Sequence, residues 1–522
     1  MSGRRLSLST LGSVPASMRP PFDPASIGVG IVHLGIGAFH RAHQATFTQD
    51  ALAVVPGDWG ICGVTQRSGT VQRQLSPQDG LYSLLERSGR ATRASVVGAV
   101  REVLDGSADP AAVVERIASP EVHVVTLTVT EKGYRRDPAT GSLNWEDHEV
   151  RADLAGRDPR TPVGQLVAGI RARRRRGAGG LTVVSCDNLP DNGAVLGHLV
   201  SDLAERGDDG PETLDWIGSN VRFPSTMVDR IVPATTDTDR AEASGLLGVA
   251  DEATVVGEAF RQWVVEDDFA GPRPGWEHAG VLLVDDARPW ERAKVRLLNG
   301  SHSTLAYLGQ LAGCGLVADA LARPGFEAVV RRLMSDDVEP TLGPLPGLDL
   351  GGYEEQLLAR FANRALRHRC AQIAADGSQK LPLRLVGTVV DRRRQGGEPL
   401  AALLGIAAWM RCAVDRCDDR GAPLALDDPL ADAIAERTSR AAGPGGVVDA
   451  LLGWTAMFPP GVADDRFVAD TLAELLTHLR RDGAEATARH VTASPRRPAG
   501  PGSPGAPGPT PRGRPNLRKE PH

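Results

Sequence analysis

The chain has 522 residues, of which 41% are hydrophobic and 24% charged, the composition of a globular protein with two or three domains. It contains no run of about 18 uncharged apolar residues, and its N-terminus lacks the apolar segment of a secretory signal, so we expect no membrane association. The formal net charge is −6, and residues 1–493 carry −11, which argues against nucleic acid as a partner.

Four segments follow one another along the chain. Residues 1–27 are rich in Pro and Ser and predict an irregular arm. In residues 28–287, apolar β-branched runs alternate with helical stretches, which predicts a Rossmann-type, doubly wound α/β domain with a parallel sheet. Residues 288–493 have helical periodicity and predict a mostly α-helical substrate domain. Residues 494–522 form a Pro/Gly-rich tail that is predicted to be disordered.

Five apolar runs are the predicted strands. The first precedes a glycine-rich turn at residue 35, and the others lie at residues 59–65, 122–130, 181–187 and 281–287. Amphipathic stretches such as PAAVVERIA and VGQLVAGIRARRRR separate them and predict helices. This alternation indicates βαβ units.

The turn after the first strand is a candidate dinucleotide-binding site. Glycines at the first two positions let the backbone approach a pyrophosphate, and the helix that follows offers N–H groups to it. The third glycine of the usual motif is replaced by a histidine, so a plain strand-to-helix turn is the alternative. The candidate cofactor-binding residues are Gly35, Ile36, Gly37, Ala38, Phe39 and His40.

The second strand should be followed by an acid that binds the ribose of NAD, yet the chain continues Gln66-Arg67-Ser68-Gly69. An arginine there suits the 2′-phosphate of NADP or is a surface charge, so the residues alone leave the choice between NAD and NADP open.

His40 and His43 lie three residues apart, but no carboxylate or cysteine nearby completes a metal site. We interpret them as packing or phosphate-edge residues.

Six scattered cysteines contain no Cys-x-x-Cys pair, which predicts no metal site and favours a reducing, cytoplasmic location.

A cluster of polar residues in an apolar helical context is the candidate for chemistry. At about 100° per residue, Lys294, Asn299 and His302 can face one cleft. Oxidation of a carbinol needs a base and donors for the developing oxyanion, and a lysine can be that base. From the helix alone, a surface lysine with a capping Asn-Gly is the favoured interpretation.

Two further segments carry similar residues. Asn188 follows the strand at residues 181–187, where the carboxyl ends of strands bind ligands, and it could donate an amide to the oxyanion. Lys380 lies in the turn-like segment DGSQKLP, which suits a contact with a substrate hydroxyl or carboxylate. Each segment alone could be an ordinary turn or helix cap.

These motifs together resemble one family. The segments HLGIGAFHRAHQ, TLTVTEKGY, SCDN, FPSTMVDRIVP, QWVVEDDF, KVRLLNGSHS and DGSQKLP occur in the order found in the polyol-specific long-chain dehydrogenases, between about residues 29 and 480. That family includes mannitol 2-dehydrogenases and fructuronate reductases (D-mannonate oxidoreductases). The resemblance implies a zinc-independent oxidoreductase that acts on secondary alcohols, mostly with NAD.

The resemblance also implies roles for individual residues. Lys294 would be the general acid/base, and Asn188 and Asn299 would form the oxyanion pocket. His302, Asp229 and Lys380 would hold substrate hydroxyls or orient the base. Glu131 would lie near the proton path.

The segment Arg367–Ile373 and DGSQKLPLR resemble fructuronate reductases more than mannitol 2-dehydrogenases. Fructuronate carries a carboxylate, for which Arg369, Arg384 and Lys380 are available cations, although arginines on a solvated helix are the alternative. We therefore expect interconversion of D-fructuronate and D-mannonate. Oxidation of mannitol, another polyol or a polyol phosphate is the second candidate. The predicted partners are a small substrate and NAD, with NADP left open, in a monomer or small homo-oligomer without metal.

Overall fold

The computed structural model describes residues 4–89, 91–156, 158–425 and 427–493. It consists of two compact units. The first contains Met1–Leu298, Leu316–Asp319 and Leu342–Arg369, and the second contains Asn299–Gly315, Ala320–Thr341 and Cys370–His522. Three segments from the stretch with helical periodicity, residues 288–298, 316–319 and 342–369, thus belong to the first unit. The predicted tail, residues 494–522, lies outside the described residues.

The first unit contains three sheets. Their strands are β1 (Val29–Leu34), β2 (Gly60–Thr65), β3 (Tyr82–Arg87), β4 (Thr92–Val97), β5 (Val100–Asp105), β6 (Val124–Leu127), β7 (Leu181–Ser185), β8 (Val221–Arg222), β9 (Thr226–Asp229), β10 (Val255–Glu258), β11 (Gln262–Glu266) and β12 (Leu282–Val284).

The largest sheet has six parallel strands in the order β5-β2-β1-β6-β7-β8. Counted within this sheet, the order is 3-2-1-4-5-6, that of doubly wound dinucleotide-binding domains, in which the direction of winding reverses between β1 and β6. The predicted α/β fold is therefore confirmed. Two smaller three-stranded sheets, β10-β3-β4 and β12-β11-β9, each combine a parallel and an antiparallel pair.

Helices occupy most of the rest of the chain. Up to residue 293 they are α1 (Ala38–Ala42), α2 (Gln44–Val54), α3 (Thr70–Leu75), α4 (Pro110–Ala118), α5 (His148–Leu154), α6 (Pro162–Arg176), α7 (Asn192–Glu205), α8 (Gly210–Asn220), α9 (Asp237–Leu247) and α10 (Arg288–Ala293). The others are α11 (Ser301–Leu311), α12 (Val317–Leu321), α13 (Phe326–Arg332), α14 (Leu350–Phe361), α15 (Cys370–Ala374), α16 (Gly377–Leu381), α17 (Gly387–Arg394), α18 (Leu400–Asp415), α19 (Ala431–Thr438), α20 (Gly443–Leu452), α21 (Pro460–Ala463), α22 (Arg466–Asp482) and α23 (Ala484–Ala493).

The second unit is helical, as predicted, and none of the twelve strands lies in its described residues. No helix of the described chain is both long and apolar enough to cross a membrane. Local sequence explains the ends of several helices. In α6, Thr161 accepts a hydrogen bond from the Gly164 N–H at the start, and Gly177 adopts φ 64° at the end. These are the usual N-capping and C-capping residues.

The predicted arm, residues 1–27, contributes to the first unit's core. Its described part forms short 3-10 helices at Leu11–Ser13, Ala16–Met18 and Pro24–Ser26. Leu6 and Val14 are fully buried in a small apolar cluster with residues of the first unit. The arm is thus irregular in secondary structure but packed.

The glycine that ends the first strand is required by two features of the backbone. Gly35 has φ 96°, a conformation that residues with a Cβ rarely adopt. A Cβ at this position would also lie 2.3 Å from the carbonyl oxygen of Thr128, which follows β6. Gly35 therefore allows the loops after β1 and β6 to approach each other at the switch point of the sheet.

We predict that Gly35→Ala destabilises the protein by about 1–3 kcal/mol, the usual cost of a strained backbone position, and abolishes NADH binding. Urea unfolding and NADH fluorescence titration measure the two effects. Gly12→Ala is the matched control, because a Cβ there would have no atom of the described residues within 4 Å. Unchanged NADH affinity in Gly35→Ala would contradict the assignment of this turn to the cofactor.

Candidate active site

The turn after β1 presents backbone donors at the point where the sheet reverses its winding. The N–H groups of Gly35 and Ile36 both donate to the Val64 carbonyl oxygen (2.9 and 3.0 Å). The first N–H groups of α1 have no intrahelical acceptor, so they are available to an anion. A Cβ at Gly37 would have only one atom within 4 Å, the Gly35 oxygen at 3.8 Å. The turn therefore fits the pyrophosphate of a dinucleotide.

Two histidines beyond the turn are buried packing groups. His40 stacks on His33 with ring centroids 3.4 Å apart, and His43 packs against Phe39 and Trp263. Burial holds the pKa of His40 well below its usual value and lowers the pKa of His43 to about 3, so both imidazoles are neutral. The structure thus fits the interpretation of these histidines as packing residues.

Lys294 lies in an oxygen-lined position at the end of α10. Its Nζ donates to the Asn188 Oδ1 (2.5 Å) and to the Val228 carbonyl oxygen (2.7 Å), and the residue is only 6% exposed. A lysine held in this way is oriented rather than mobile on a surface. Of the two interpretations open from the sequence, the geometry fits a functional lysine.

The segment that begins at Lys294 is not the regular α-helix assumed in the sequence analysis. Lys294–Gly300 is a π-helix, which α11 then continues. A π-helix forms i→i+5 hydrogen bonds, so the 100° projection does not apply across this segment. Such segments often occur at functional sites, where they change the direction of side chains.

The loop after β7 holds Asn188 through its neighbours. The Asp187 carboxylate accepts hydrogen bonds from the N–H groups of Val129 and Thr130 (both 3.0 Å) and from the Tyr134 hydroxyl (2.8 Å). Burial raises the pKa of Asp187, and these donors oppose that shift. The Asn188 Nδ2 has no hydrogen-bond partner among the described residues, so this amide can donate to a substrate oxygen.

Asp229, predicted to bind substrate, belongs to a buried ionic network. Arg360 from α14 donates to both Asp229 oxygens (2.7 and 2.9 Å) and to both Glu258 oxygens (2.7 and 3.0 Å). All three side chains are at most 5% exposed. Arg360 is the largest favourable influence on the Asp229 pKa, which lies below its usual value although burial acts in the opposite direction. Since both carboxylate oxygens bind Arg360, the geometry favours positioning of the base over direct substrate contact.

Sequence reasoning missed Arg360, Glu258 and Glu291. Glu291 is partly buried, accepts a hydrogen bond from the Asp191 N–H (3.3 Å) and interacts electrostatically with Lys294. A signal for Arg360 was present: it lies among Leu357, Leu358 and Phe361 on the apolar face of α14, where an arginine needs an acidic partner.

Four predicted site residues belong to the second unit. His302 is buried and Asn299 partly buried, at either side of Gly300. A Cβ at Gly300 would lie 2.8 Å from the Arg384 carbonyl oxygen, so this glycine permits close packing. The Arg384 guanidinium donates to Ser303 Oγ (3.0 Å), and Lys380 binds the Ala375 carbonyl oxygen (2.7 Å) and Asp376 (3.3 Å).

Lys380 and Arg384 influence each other. Burial is the main cause that lowers the pKa of Lys380, and the nearby charge of Arg384 lowers it further.

The remaining predicted site residues, Arg369 and Glu131, are exposed. Glu131 begins a 3-10 helix directly after Thr130, whose φ of 66° is unusual for a β-branched residue. The roles of Arg369 and Glu131 stay predictions.

The chain matches two family models over most of its length. Residues 29–278 match the mannitol dehydrogenase Rossmann domain, and residues 286–479 match the mannitol dehydrogenase C-terminal domain. The chain therefore belongs to the mannitol dehydrogenase family, as the sequence motifs indicated. Members of this class are oxidoreductases that act on CH–OH groups.

Three relatives place the chain within the family. It is 43% identical to the uncharacterized oxidoreductase YeiQ of Escherichia coli K12 over 89% of this chain and 95% of that protein. It is 40% identical to the D-mannonate oxidoreductase of the same strain, over 86% of this chain and 91% of that protein. A solved structure of Pseudomonas fluorescens mannitol 2-dehydrogenase, in a ternary complex with NAD and D-mannitol, matches with a TM-score of 0.80 and 35% identity, over 94% of this chain and all of that one.

We predict that Arg360→Met destabilises the protein by about 3–5 kcal/mol, because it leaves Asp229 and Glu258 buried without a cation. Urea unfolding measures the loss. The control is Arg364→Met, since Arg364 is 70% exposed in its pair with Asp319, and exposed pairs contribute about 0–1 kcal/mol. Equal effects of the two substitutions would show that Asp229 and Glu258 do not depend on Arg360 to compensate their buried charge.

Proposed function

We propose that the protein reduces the ketone of D-fructuronate to D-mannonate with NADH, and catalyses the reverse oxidation. The observation that carries the choice of a sugar acid is Arg384, a partly buried guanidinium that forms no ion pair within the described residues. The 40% identity to a D-mannonate oxidoreductase supports it.

Lys294 acts as the general acid in this proposal. In the reducing direction, bound NADH supplies a hydride to the carbonyl carbon. The protonated Lys294 Nζ donates its proton to the carbonyl oxygen as that oxygen gains charge. In the oxidising direction, the neutral amine takes the proton from the hydroxyl. The contacts with Asn188 and Val228 support this role, because they hold Nζ in one orientation.

Two amides stabilise the developing oxyanion. Asn188 accepts from Lys294 through Oδ1, so its Nδ2 points away from the lysine and can donate to the same substrate oxygen that Lys294 protonates. Asn299 is the second proposed donor, and His302 the proposed ligand of a substrate hydroxyl. Glu131 is proposed to lie near the proton path, and Arg369 near the substrate.

The cofactor turn supports binding of a dinucleotide, and NAD is the proposed cofactor. The Pseudomonas fluorescens relative was solved with NAD. In this chain, Gln66 follows β2 and donates through Nε2 to Gln165 (2.9 Å), and Arg67 is exposed. An arginine there suits a 2′-phosphate, so assays with both NADH and NADPH test the choice.

The carboxylate of a sugar acid is the proposed partner of Arg384 and Lys380. Lys380 already forms an ion pair with Asp376. Arg384 donates a hydrogen bond to the Ser303 hydroxyl and forms no ion pair with a described residue, although the Asp376 charge favours its protonated form. A partly buried cation that lacks a directly paired carboxylate gains more from binding an anion than one that is already paired. An uncharged polyol offers no such anion. Oxidation of mannitol is the second candidate, favoured by the likeness to mannitol 2-dehydrogenase.

The cysteine pattern supports the proposed cytoplasmic location, and a monomer or small homo-oligomer stays a prediction.

We predict that Lys294→Ala lowers kcat by about 100- to 10,000-fold, the usual contribution of a general acid/base, while NADH affinity stays unchanged. NADH oxidation assays and fluorescence titration separate the two. Added methylamine should restore part of the rate by supplying the missing proton donor. Arg292→Ala, an exposed residue in α10, is the control. Unchanged turnover would refute the assigned base.

We predict that Arg384→Met raises KM for fructuronate about tenfold or more, the loss expected for a charge-assisted hydrogen bond. KM for fructose should change little, since fructose lacks a carboxylate. Arg394→Met, whose side chain is 75% exposed, is the control. Steady-state kinetics of the wild type and both variants measure KM for fructuronate and for fructose. Efficient reduction of fructose without reduction of fructuronate by the wild type would overturn the sugar-acid proposal.

A further inference from the structure

A cavity of about 370 Å³ lies within the second unit, built from α22, α23 and the segments that pack on them. None of its lining residues belongs to the candidate active site. Six arginines line it, together with three acidic residues, Asp419, Asp482 and Glu485. The arginines are Arg323, Arg411, Arg420, Arg480, Arg481 and Arg489.

Positive charge exceeds negative charge in this cavity. Arg411 binds Asp419 (2.5 Å), Arg323 binds Glu485 (2.5 Å), and Arg481 binds Asp482 (2.7 Å). Arg480 binds Asp415, a fourth carboxylate that is not among the lining residues. The six guanidinium groups are therefore accompanied by four carboxylates.

The two arginines left over lie at the surface of the cavity. Arg489 is 57% exposed and lies 3.9 Å from Glu485, which already binds Arg323. The Arg420 side chain is exposed and has no ion pair with any described residue. Each guanidinium carries about five N–H donors, more than the ion pairs of these arginines use. The Nε atoms of Arg323 and Arg411, for example, have no hydrogen-bond partner in the described chain.

The cavity already holds one carboxylate in the manner of a bound anion. Asp419 accepts a hydrogen bond from Arg411 through Oδ1 and another from the Ala484 N–H through Oδ2 (2.8 Å). Ala484 is the first residue of α23, so the positive end of that helix and a guanidinium bind the same group. A second anion beside Asp419 would find the remaining arginines and the same helix end.

We propose that this cavity is a binding site for a small phosphorylated metabolite, separate from the active site. Several guanidinium groups from different segments suit the three oxygens of a phosphate, because each guanidinium can donate two parallel hydrogen bonds to it. The volume lies within the range of about 300–1,000 Å³ of small-molecule sites, so it accepts a phosphate together with the sugar or other group that carries it.

Binding of anions by the intact protein tests the proposal. Isothermal titration measures affinity for orthophosphate, pyrophosphate and fructose 1,6-bisphosphate at constant ionic strength, with saturating NADH to occupy the dinucleotide site. Citrate serves as the carboxylate comparison. We expect binding of at least one phosphate compound, a higher melting temperature in its presence, and weaker binding of citrate.

The double substitution Arg420→Ala/Arg489→Ala should weaken that binding about tenfold or more, with unchanged turnover by the active site. Both side chains are exposed, so the variant should fold. Arg394→Ala/Arg440→Ala is the matched control, because it removes the same charge from exposed positions outside the cavity. Arg384→Met reports any binding at the proposed substrate carboxylate site.

Absence of phosphate binding, equal weakening in the test and control variants, or loss of binding in Arg384→Met alone would each overturn the proposal. Tighter binding of citrate than of every phosphate compound would contradict the proposed ligand class. Because NADH binding and turnover are measured separately, failure here is distinguishable from failure of the proposed activity.

Discussion

The position of Lys294 depends on the carbonyl oxygen of Val228, and that oxygen is fixed by a buried charge. Val228 precedes Asp229 at the end of β9, and Arg360 binds Asp229 through two hydrogen bonds while it binds Glu258 at the end of β10. A buried ion network adds little net stability, because desolvation opposes the Coulombic attraction. Its value here is geometric: it holds two strand ends, and with them the carbonyl oxygen that accepts a hydrogen bond from Lys294 Nζ.

The candidate cofactor turn and the loop that carries Asn188 are connected through the loop after β6. Gly35 lets the Thr128 backbone come close, and the Thr128 hydroxyl donates to the Gly35 carbonyl oxygen (2.9 Å). The next two N–H groups bind Asp187, and Asn188 binds Lys294. The candidate dinucleotide turn and Lys294 are thus linked by short contacts within one unit.

The sequence predicts those parts of the molecule that short-range patterns determine. The helix PAAVVERIA is observed at Pro110–Ala118, because its apolar spacing and its Asp-Pro start are local signals. Lys294 and Asn188 were identified together because both belong to recognisable motifs. Arg360 was missed because its partners lie 102 and 131 residues away, a pairing that only the fold creates. The π-helix at Lys294–Gly300 was missed because its sequence has the apolar spacing of an α-helix.

Charge balance separates the arginines that support the fold from those that suit a ligand. Arg360 is buried between two carboxylates that neutralise it, so it has no need of a further anion. Arg384 is partly buried against a hydroxyl, and Arg420 lies in a cavity where cations outnumber carboxylates. Desolvating a cation without a counter-charge costs free energy, and an anionic ligand removes that cost when it binds. The same physical criterion therefore underlies the proposal of a sugar carboxylate at Arg384 and that of a phosphate in the arginine-lined cavity, whereas the charge of Arg360 is already neutralised within the fold.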